Sequence, residues 1–333
     1  MSEDEALVLE RPGEWCVRAV PPTAPGAGEV VVQALYVGLC GTDLHIVAGR
    51  HPRARLPLVL GHEILGVATG GRWAGQPVVV DPTISCGRCP ACARGDDHVC
   101  QSLRLVGVDR PGGLAGRLCL AEEKLHPVPA GLALTAAALA EPLAVAVHAV
   151  GRAGPYLGAR VAILGAGPIG LLTGLVARAA GARAVLLVEP ASARREVARR
   201  LGFPTAARAG TVSDTLGGES ADVVFDAAGV PASARAATRL VRPRGTIVVE
   251  AIHGEPAAVD LAAVTFAEIT VLGARVYRPA DIELALGLLA AGSVDVTALI
   301  SETVDPGDIP AALGRLERGE SVKALARFAP GYG

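Results

Sequence analysis

Val161-Ala-Ile-Leu164-Gly165-Ala-Gly167-Pro168-Ile169-Gly170 decides the fold: an apolar run of strand length enters a G-x-G-x-x-G turn. Leu171-Leu-Thr-Gly-Leu-Val-Ala177 continues behind it with a helical pattern. A bare glycine pattern is a weak signal. A strand before it and a helix after it supply the context in which such a turn binds a dinucleotide. Gly165 permits the tight turn, Gly167 lets backbone approach a pyrophosphate, and Gly170 allows close helix–sheet packing. Together with Pro168 and Ile169 they open a helix whose unpaired N–H groups and partial positive charge favour phosphates. The competing reading is a glycine-rich strand–helix turn that binds nothing.

Glu189 stands nineteen residues past Gly170, after the next apolar run, Ala184–Val188. A carboxylate there accepts hydrogen bonds from the adenosine ribose and repels a 2′-phosphate, which predicts NAD over NADP. Arg194 and Arg195 follow closely and offer the opposite reading, a phosphate-holding pair. Further apolar runs, Asp222–Phe225 and Thr246–Val249, suit parallel strands covered on both faces. Helical patterns at Ile169–Ala180 and Ala191–Leu201 lie between these runs, so the α/β alternation predicts a doubly wound parallel sheet. The texture ahead of it differs. Short β-rich segments punctuated by Gly and Pro fill the first 140 or so residues, with Val30–Val37 and Gln76–Asp81 as candidate strands. Near residue 276 the pattern returns to loop and helix.

The chain has 333 residues, 51% hydrophobic and 19% charged, which excludes a disordered polymer and allows two domains. A formal net charge of −2 implies neither nucleic acid nor an anionic membrane surface as partner. Arginine almost wholly replaces lysine and is scattered, as a coding bias would leave it. The longest uncharged stretch, Val161–Ala177, is claimed by the strand–turn–helix unit rather than by a bilayer. The acidic start, Met1-Ser-Glu-Asp-Glu5, is unlike a signal peptide, so a cytoplasmic protein is expected.

Cys86, Cys89, Cys92 and Cys100 follow the spacing C-x2-C-x2-C-x7-C. One short loop then wraps four thiolates around a tetrahedral ion, for which zinc is the best match. A closed four-sulfur shell holds structure and leaves no seat for substrate. Disulfides fit poorly without an oxidising compartment, and an iron–sulfur cluster is the metal alternative. Cys16 and Cys119 read as core residues. Upstream, Cys40-Gly-Thr42-Asp-Leu-His45 and Gly61-His62-Glu63 precede Glu141-Pro142. A Cys, a His and a carboxylate provide three ligands and an open fourth position, the pattern of a catalytic zinc. Taken singly, Cys40 reads as core and His62 as a satisfied polar residue; their joint occurrence carries the metal reading.

Over nearly its full length the chain resembles the medium-chain, zinc-dependent alcohol dehydrogenase family. The resemblance rests on Gly38–His45, Gly61–Glu63, the Cys86–Cys100 loop, Gly112-Gly-Leu-Ala115, Glu141-Pro142 and Gly165–Gly170. Glu141 in Glu-Pro, where other branches carry cysteine, is similar to polyol, threonine and (R,R)-butanediol dehydrogenases. The resemblance implies a GroES-like, β-rich catalytic domain over 1–143 with both zinc sites. It implies a Rossmann NAD-binding domain over 144–276 and a return to the catalytic domain over 277–333. It places Cys40, His62, Glu63 and Glu141 around the catalytic zinc, with Glu63 and Glu141 exchanging as ligand. Thr42 becomes the hydroxyl beside the reacting oxygen, and His45 the relay of its proton to solvent. Tyr277 is a substrate contact by the same resemblance, although the arginine preceding that tyrosine is displaced here to Arg275.

The implied reaction moves hydride between a secondary alcohol (a diol, polyol or related hydroxy compound) and NAD, in a homodimer or homotetramer. Two other readings stand beside it. One is a biosynthetic dehydrogenase of a cyclitol or amino-sugar alcohol. The other is a nucleotide-binding regulator that kept the fold without the chemistry.

Overall fold

The computed structural model describes residues 1–20, 24–211 and 215–329. The chain divides into two compact units, Met1–Glu141 with Arg278–Ala291 and Ile300–Gly333, and Pro142–Tyr277 with Gly292–Leu299.

In the second unit, six parallel strands form one sheet. Their spatial order is Thr205–Ala206, Ala184–Val188, Arg160–Leu164, Ala221–Asp226, Val241–Val249, Thr270–Gly273. The order reverses beside Arg160–Leu164, the switch point of a doubly wound sheet, and the glycine turn leaves from that strand. Ala162, Leu164, Leu186, Val188, Val224 and Ile247 pack into one core cluster, so the strands are apolar on the faces their helices cover. The expected helices appear at Pro168–Ala179 and Ser192–Arg200.

The first unit is built on a seven-stranded sheet. Its main path runs Leu125–Pro127, Pro77–Val80, Glu63–Ala68, Glu29–Gly38, Lys323–Arg327, Ile300–Val304, and Arg117–Ala121 also pairs with Glu29–Gly38. Glu29–Gly38 and Glu63–Ala68 are antiparallel, and their register sets Gly38 opposite Glu63. Lys323–Arg327 lies on the other side of Glu29–Gly38, with Leu325 opposite Gly38. Three strand ends therefore meet where Cys40, His62 and Lys323 sit. The return of the chain is not only loop and helix, as its texture suggested, because two strands there join this sheet. Lys323-Ala-Leu-Ala-Arg327 is made of good helix formers, and sheet pairing overrides that local preference. Val304, Ile309, Leu313, Leu316, Ala324 and Ala326 share a core cluster with Leu7, Leu9, Val37 and Leu39. At about 1.5–3 kcal/mol per fully buried large aliphatic side chain, this packing anchors the returning segment firmly.

Candidate metal centres and cofactor site

Cys40 precedes the short helix Gly41–Val47 and occupies its N-cap position. Asp43, at the third helical position, accepts a hydrogen bond from the Cys40 N–H at 2.9 Å, which fixes the turn. Thr42 is half-buried, His45 is exposed, and the three-residue spacing puts both on one face of the helix. Thr42 Oγ1 is 3.8 Å from Cys40 Sγ.

Ligand atoms of Cys40, His62 and Glu63 lie within 4.8 Å of one another. Asp43, 0% exposed, places Oδ1 4.0 Å from His62 Nδ1, close enough for electrostatic attraction but too far for a hydrogen bond. A buried carboxylate at that distance favours the protonated or metal-bound imidazole through its charge. Burial opposes protonation of His62, yet Cys40, Asp43 and Glu141 together lift its pKa well above the ordinary value. Burial also pushes the pKa of Asp43 up, against the pull of His62. A buried imidazole surrounded by anionic groups marks a place built around a cation, and the donor set fits zinc. Glu141 is buried and acts electrostatically on His62, although it is not within the tight three-residue cluster.

Lys323 completes this centre and was not anticipated. It is 1% exposed, donates to the Leu39 carbonyl at 3.0 Å and forms an ion pair with Glu63. Burial works against its ammonium, but Glu63 and Cys40 prevail and raise its pKa. A Cβ on Gly38 would meet the Glu63 carboxylate, so glycine leaves that side chain its place beside Lys323. One sequence signal pointed to this residue. Lys124 and Lys323 are the only lysines in an arginine-rich chain, and each pairs with a buried carboxylate, Asp81 and Glu63.

Cys86, Cys89, Cys92 and Cys100 form the second cluster, again within 4.8 Å. Sulfur separations of 3.5 Å (Cys89–Cys92), 3.9 Å (Cys89–Cys100) and 4.0 Å (Cys86–Cys92) bracket the roughly 3.8 Å edge of a zinc–sulfur tetrahedron. None of these cysteines is in a disulfide. Backbone N–H groups of Cys92 and Gln101 bring the Cys89 thiol down to about 6, whereas burial and Asp97 push that of Cys92 up to about 12.

In the second unit, Gly165 adopts φ 106°, a left-handed conformation for which glycine is suited. A Cβ on Gly170 would collide with the Gly165 carbonyl, whereas one on Gly167 would meet no protein atom. The open space over Gly167 leaves its backbone accessible. Pro168, Ile169 and Gly170 form the first turn of Pro168–Ala179. Glu189 is 6% exposed; Oε2 accepts from Ala166 N at 3.0 Å and Oε1 from Ala191 N at 2.9 Å. The glycine turn and the ribose-binding candidate therefore brace each other, and each oxygen keeps a lone pair for a ribose hydroxyl. Arg195 donates to the Glu189 carbonyl at 2.8 Å, and Arg194 is half-buried. Tyr277 is 2% exposed.

Residues 26–130 match the family profile Alcohol dehydrogenase GroES-like domain, and residues 168–291 match Zinc-binding dehydrogenase. A 2-dehydro-3-deoxy-L-galactonate 5-dehydrogenase of Pseudoalteromonas atlantica is 41% identical over 283 residues, 81% of this chain and 83% of that protein. The chain belongs to the zinc-dependent alcohol dehydrogenase family. It is an oxidoreductase of hydroxy compounds that uses zinc and a nicotinamide dinucleotide, NAD, and it carries the GroES-like and Rossmann folds expected of it. A zinc-binding dehydrogenase from Sinorhizobium meliloti bound to NADP is similar in structure, with TM-score 0.90, 32% identity, and coverage of 97% of this chain and 98% of that one. An alcohol dehydrogenase from Escherichia coli CFT073 complexed with NADH has TM-score 0.90, 27% identity, and the same coverage, 97% and 98%. No helix among the described residues of the dehydrogenase is long and apolar enough to cross a membrane.

Proposed function

We propose that the dehydrogenase interconverts a secondary alcohol and a ketone on a sugar acid, with NAD as the hydride carrier. The sugar-acid specificity draws on the 41% identical galactonate-type relative and narrows the diol and polyol class suggested by the sequence. The observation that carries the chemistry is the convergence of Cys40, His62 and Glu63 within 4.8 Å, backed by buried Asp43.

Cys40, His62 and one of Glu63 or Glu141 would hold a zinc ion, which would supply positive charge that makes an alcohol more acidic. Asp43 adds negative charge beside His62, which would favour a cation held by that imidazole. Lys323 offers Glu63 a partner whenever the carboxylate is not engaged with the metal, which lets Glu63 and Glu141 alternate. Thr42 accepts the substrate hydroxyl proton while giving up its own, and His45, exposed on the same helical face, passes a proton on to water. Gly165, Gly167 and Gly170, with Pro168 and Ile169, seat the pyrophosphate, while Glu189 takes the adenosine ribose and sets NAD over NADP. Arg194 is assigned to the same adenosine end of the cofactor, and Tyr277 to substrate. Cys86, Cys89, Cys92 and Cys100 hold a structural zinc. The exposed Val271 on the outermost parallel strand, Thr270–Gly273, with Leu261 and Phe266 on a nearby helix, supports association into a homodimer or homotetramer. A cytoplasmic location completes the proposal.

The test is a panel of aldonates, keto-deoxy sugar acids, polyols and diols, followed by the absorbance of reduced nicotinamide. Turnover greatest on a sugar acid is expected. Turnover on neutral diols alone would overturn the substrate class, and binding of NAD without turnover on any member would favour the regulator.

A further inference from the structure

The carboxyl edge of the parallel sheet holds a second polar constellation, away from the glycine turn. Ala221–Asp226 and Val241–Val249 are neighbours, with Asp226 in register with Val249, so Asp226 and Glu250 leave the sheet side by side. Asp226 is 1% exposed; its Oδ1 accepts from Ala228 N and Gly229 N, both at 3.2 Å, and its Oδ2 lies 3.1 Å from His253 Nε2. The Asp226 carbonyl accepts from Glu250 N at 3.1 Å and Ala251 N at 3.0 Å, tying the two strand ends together. Glu250 is half-buried and turns toward the helix that opens at the glycine turn, where Thr173 Oγ1 donates to its carboxylate at 2.9 Å.

In a sheet of this order, a dinucleotide lies along the carboxyl edge across the switch point, one nucleotide on each half. Glu189 claims the adenosine half on the Ala184–Val188 side. The pyridine nucleotide then falls to the half whose strands end in Asp226 and Glu250. That ring is a cation when oxidised and neutral when reduced, so a carboxylate at this edge stabilises one form more than the other. We propose that Glu250, backed by Asp226, is a positioning residue that makes this edge favour the oxidised, positively charged pyridine ring over the reduced one. The proposal rests on the dinucleotide reading of the glycine turn.

The charge state of Glu250 makes the preference adjustable. Burial pushes its pKa up to about 8, with Asp226 adding to the rise and Thr173 opposing it. The other titratable groups around it are His253, paired with Asp226, and Tyr156, whose own pKa is raised by burial and by Glu250. A pyridinium stabilises the ionised carboxylate, so by linkage the oxidised cofactor binds with release of a proton and the reduced one does not.

The experiment uses the zinc-loaded, full-length protein and the two cofactor forms as probes. Dissociation constants for NAD⁺ and NADH are measured by titration calorimetry from well below to well above pH 8, in two buffers of different ionisation enthalpy. The expected result is an oxidised-to-reduced affinity ratio that rises about fivefold or more with pH, proton release on binding NAD⁺ near pH 8, and loss of both in Glu250→Gln. Because groups at the zinc site can also release a proton, the release assigned to Glu250 is the part that Glu250→Gln removes and Cys40→Ala retains, with near-ultraviolet circular dichroism checking that both variants are folded. Binding of both cofactors with a pH-independent ratio and no proton release would overturn the proposal while leaving the cofactor site intact. Failure of both forms to bind would overturn the dinucleotide reading and this proposal with it.

Discussion

Replacing Lys323 by methionine removes the ammonium from Glu63 and leaves a side chain of similar length in its place. Glu63 is 1% exposed, so without a metal its carboxylate is stranded in a site that also holds Cys40 and Asp43. Breaking a buried pair from one side costs about 3–5 kcal/mol, and the lost bond to the Leu39 carbonyl adds about 1 kcal/mol. In a domain of this size each kcal/mol is worth about 2–4 °C, so metal-free Lys323→Met should unfold roughly 8–24 °C below the parent. Zinc at this site would reverse the logic, because its positive charge would stabilise the same carboxylate. If the ion recovers about 1.4 kcal/mol of the loss, the variant binds zinc about tenfold more tightly at this site. Thermal unfolding with and without chelator, together with a competitive zinc titration, measures both quantities. A metal-free variant melting within about 2 °C of the parent, or one with weaker zinc affinity, would refute the argument that Lys323 substitutes for a metal charge.

Cys40→Ala and His62→Ala should abolish turnover while NAD binding, measured by fluorescence titration, stays within about twofold; substantial turnover in metal-free Cys40→Ala would remove the metal from the chemistry. Glu189→Ala should lower the preference for NAD over NADP in the ratio of kcat/KM values, and an unchanged ratio would place selectivity elsewhere. The raised pKa of Glu250 has a consequence for stability. The folded state binds this proton more tightly than the unfolded chain, so stability falls as pH rises from 4.5 toward about 8. Glu250→Gln should therefore be stabilising above pH 8 relative to the parent and lose that advantage below pH 4.5, as read by denaturant unfolding across this range.

The parallel sheet was legible because apolar runs such as Ala184–Val188 are long enough, and buried enough, to read locally. The cysteine loop was legible because its four ligands are close in sequence. What escaped was long-range. Lys323–Arg327 reads as helix and becomes a strand only because Glu29–Gly38 offers it a partner. Lys323 itself reaches Glu63 across 260 residues, a juxtaposition no local pattern announces. Asp43 stood inside the Cys40–His45 motif and its bond to the Cys40 N–H is local, but its nearness to His62 depends on where Gly61-His62 arrives in space. Glu250 ends an apolar run and gave no sign of its partner Thr173.

Metal analysis of purified, active protein tests the central claim most directly. The account predicts two zinc ions per chain, one of which disappears in Cys40→Ala together with activity while the ion at Cys86, Cys89, Cys92 and Cys100 is retained. Full activity in protein carrying a single ion, all of it in the four-cysteine loop, would contradict the account.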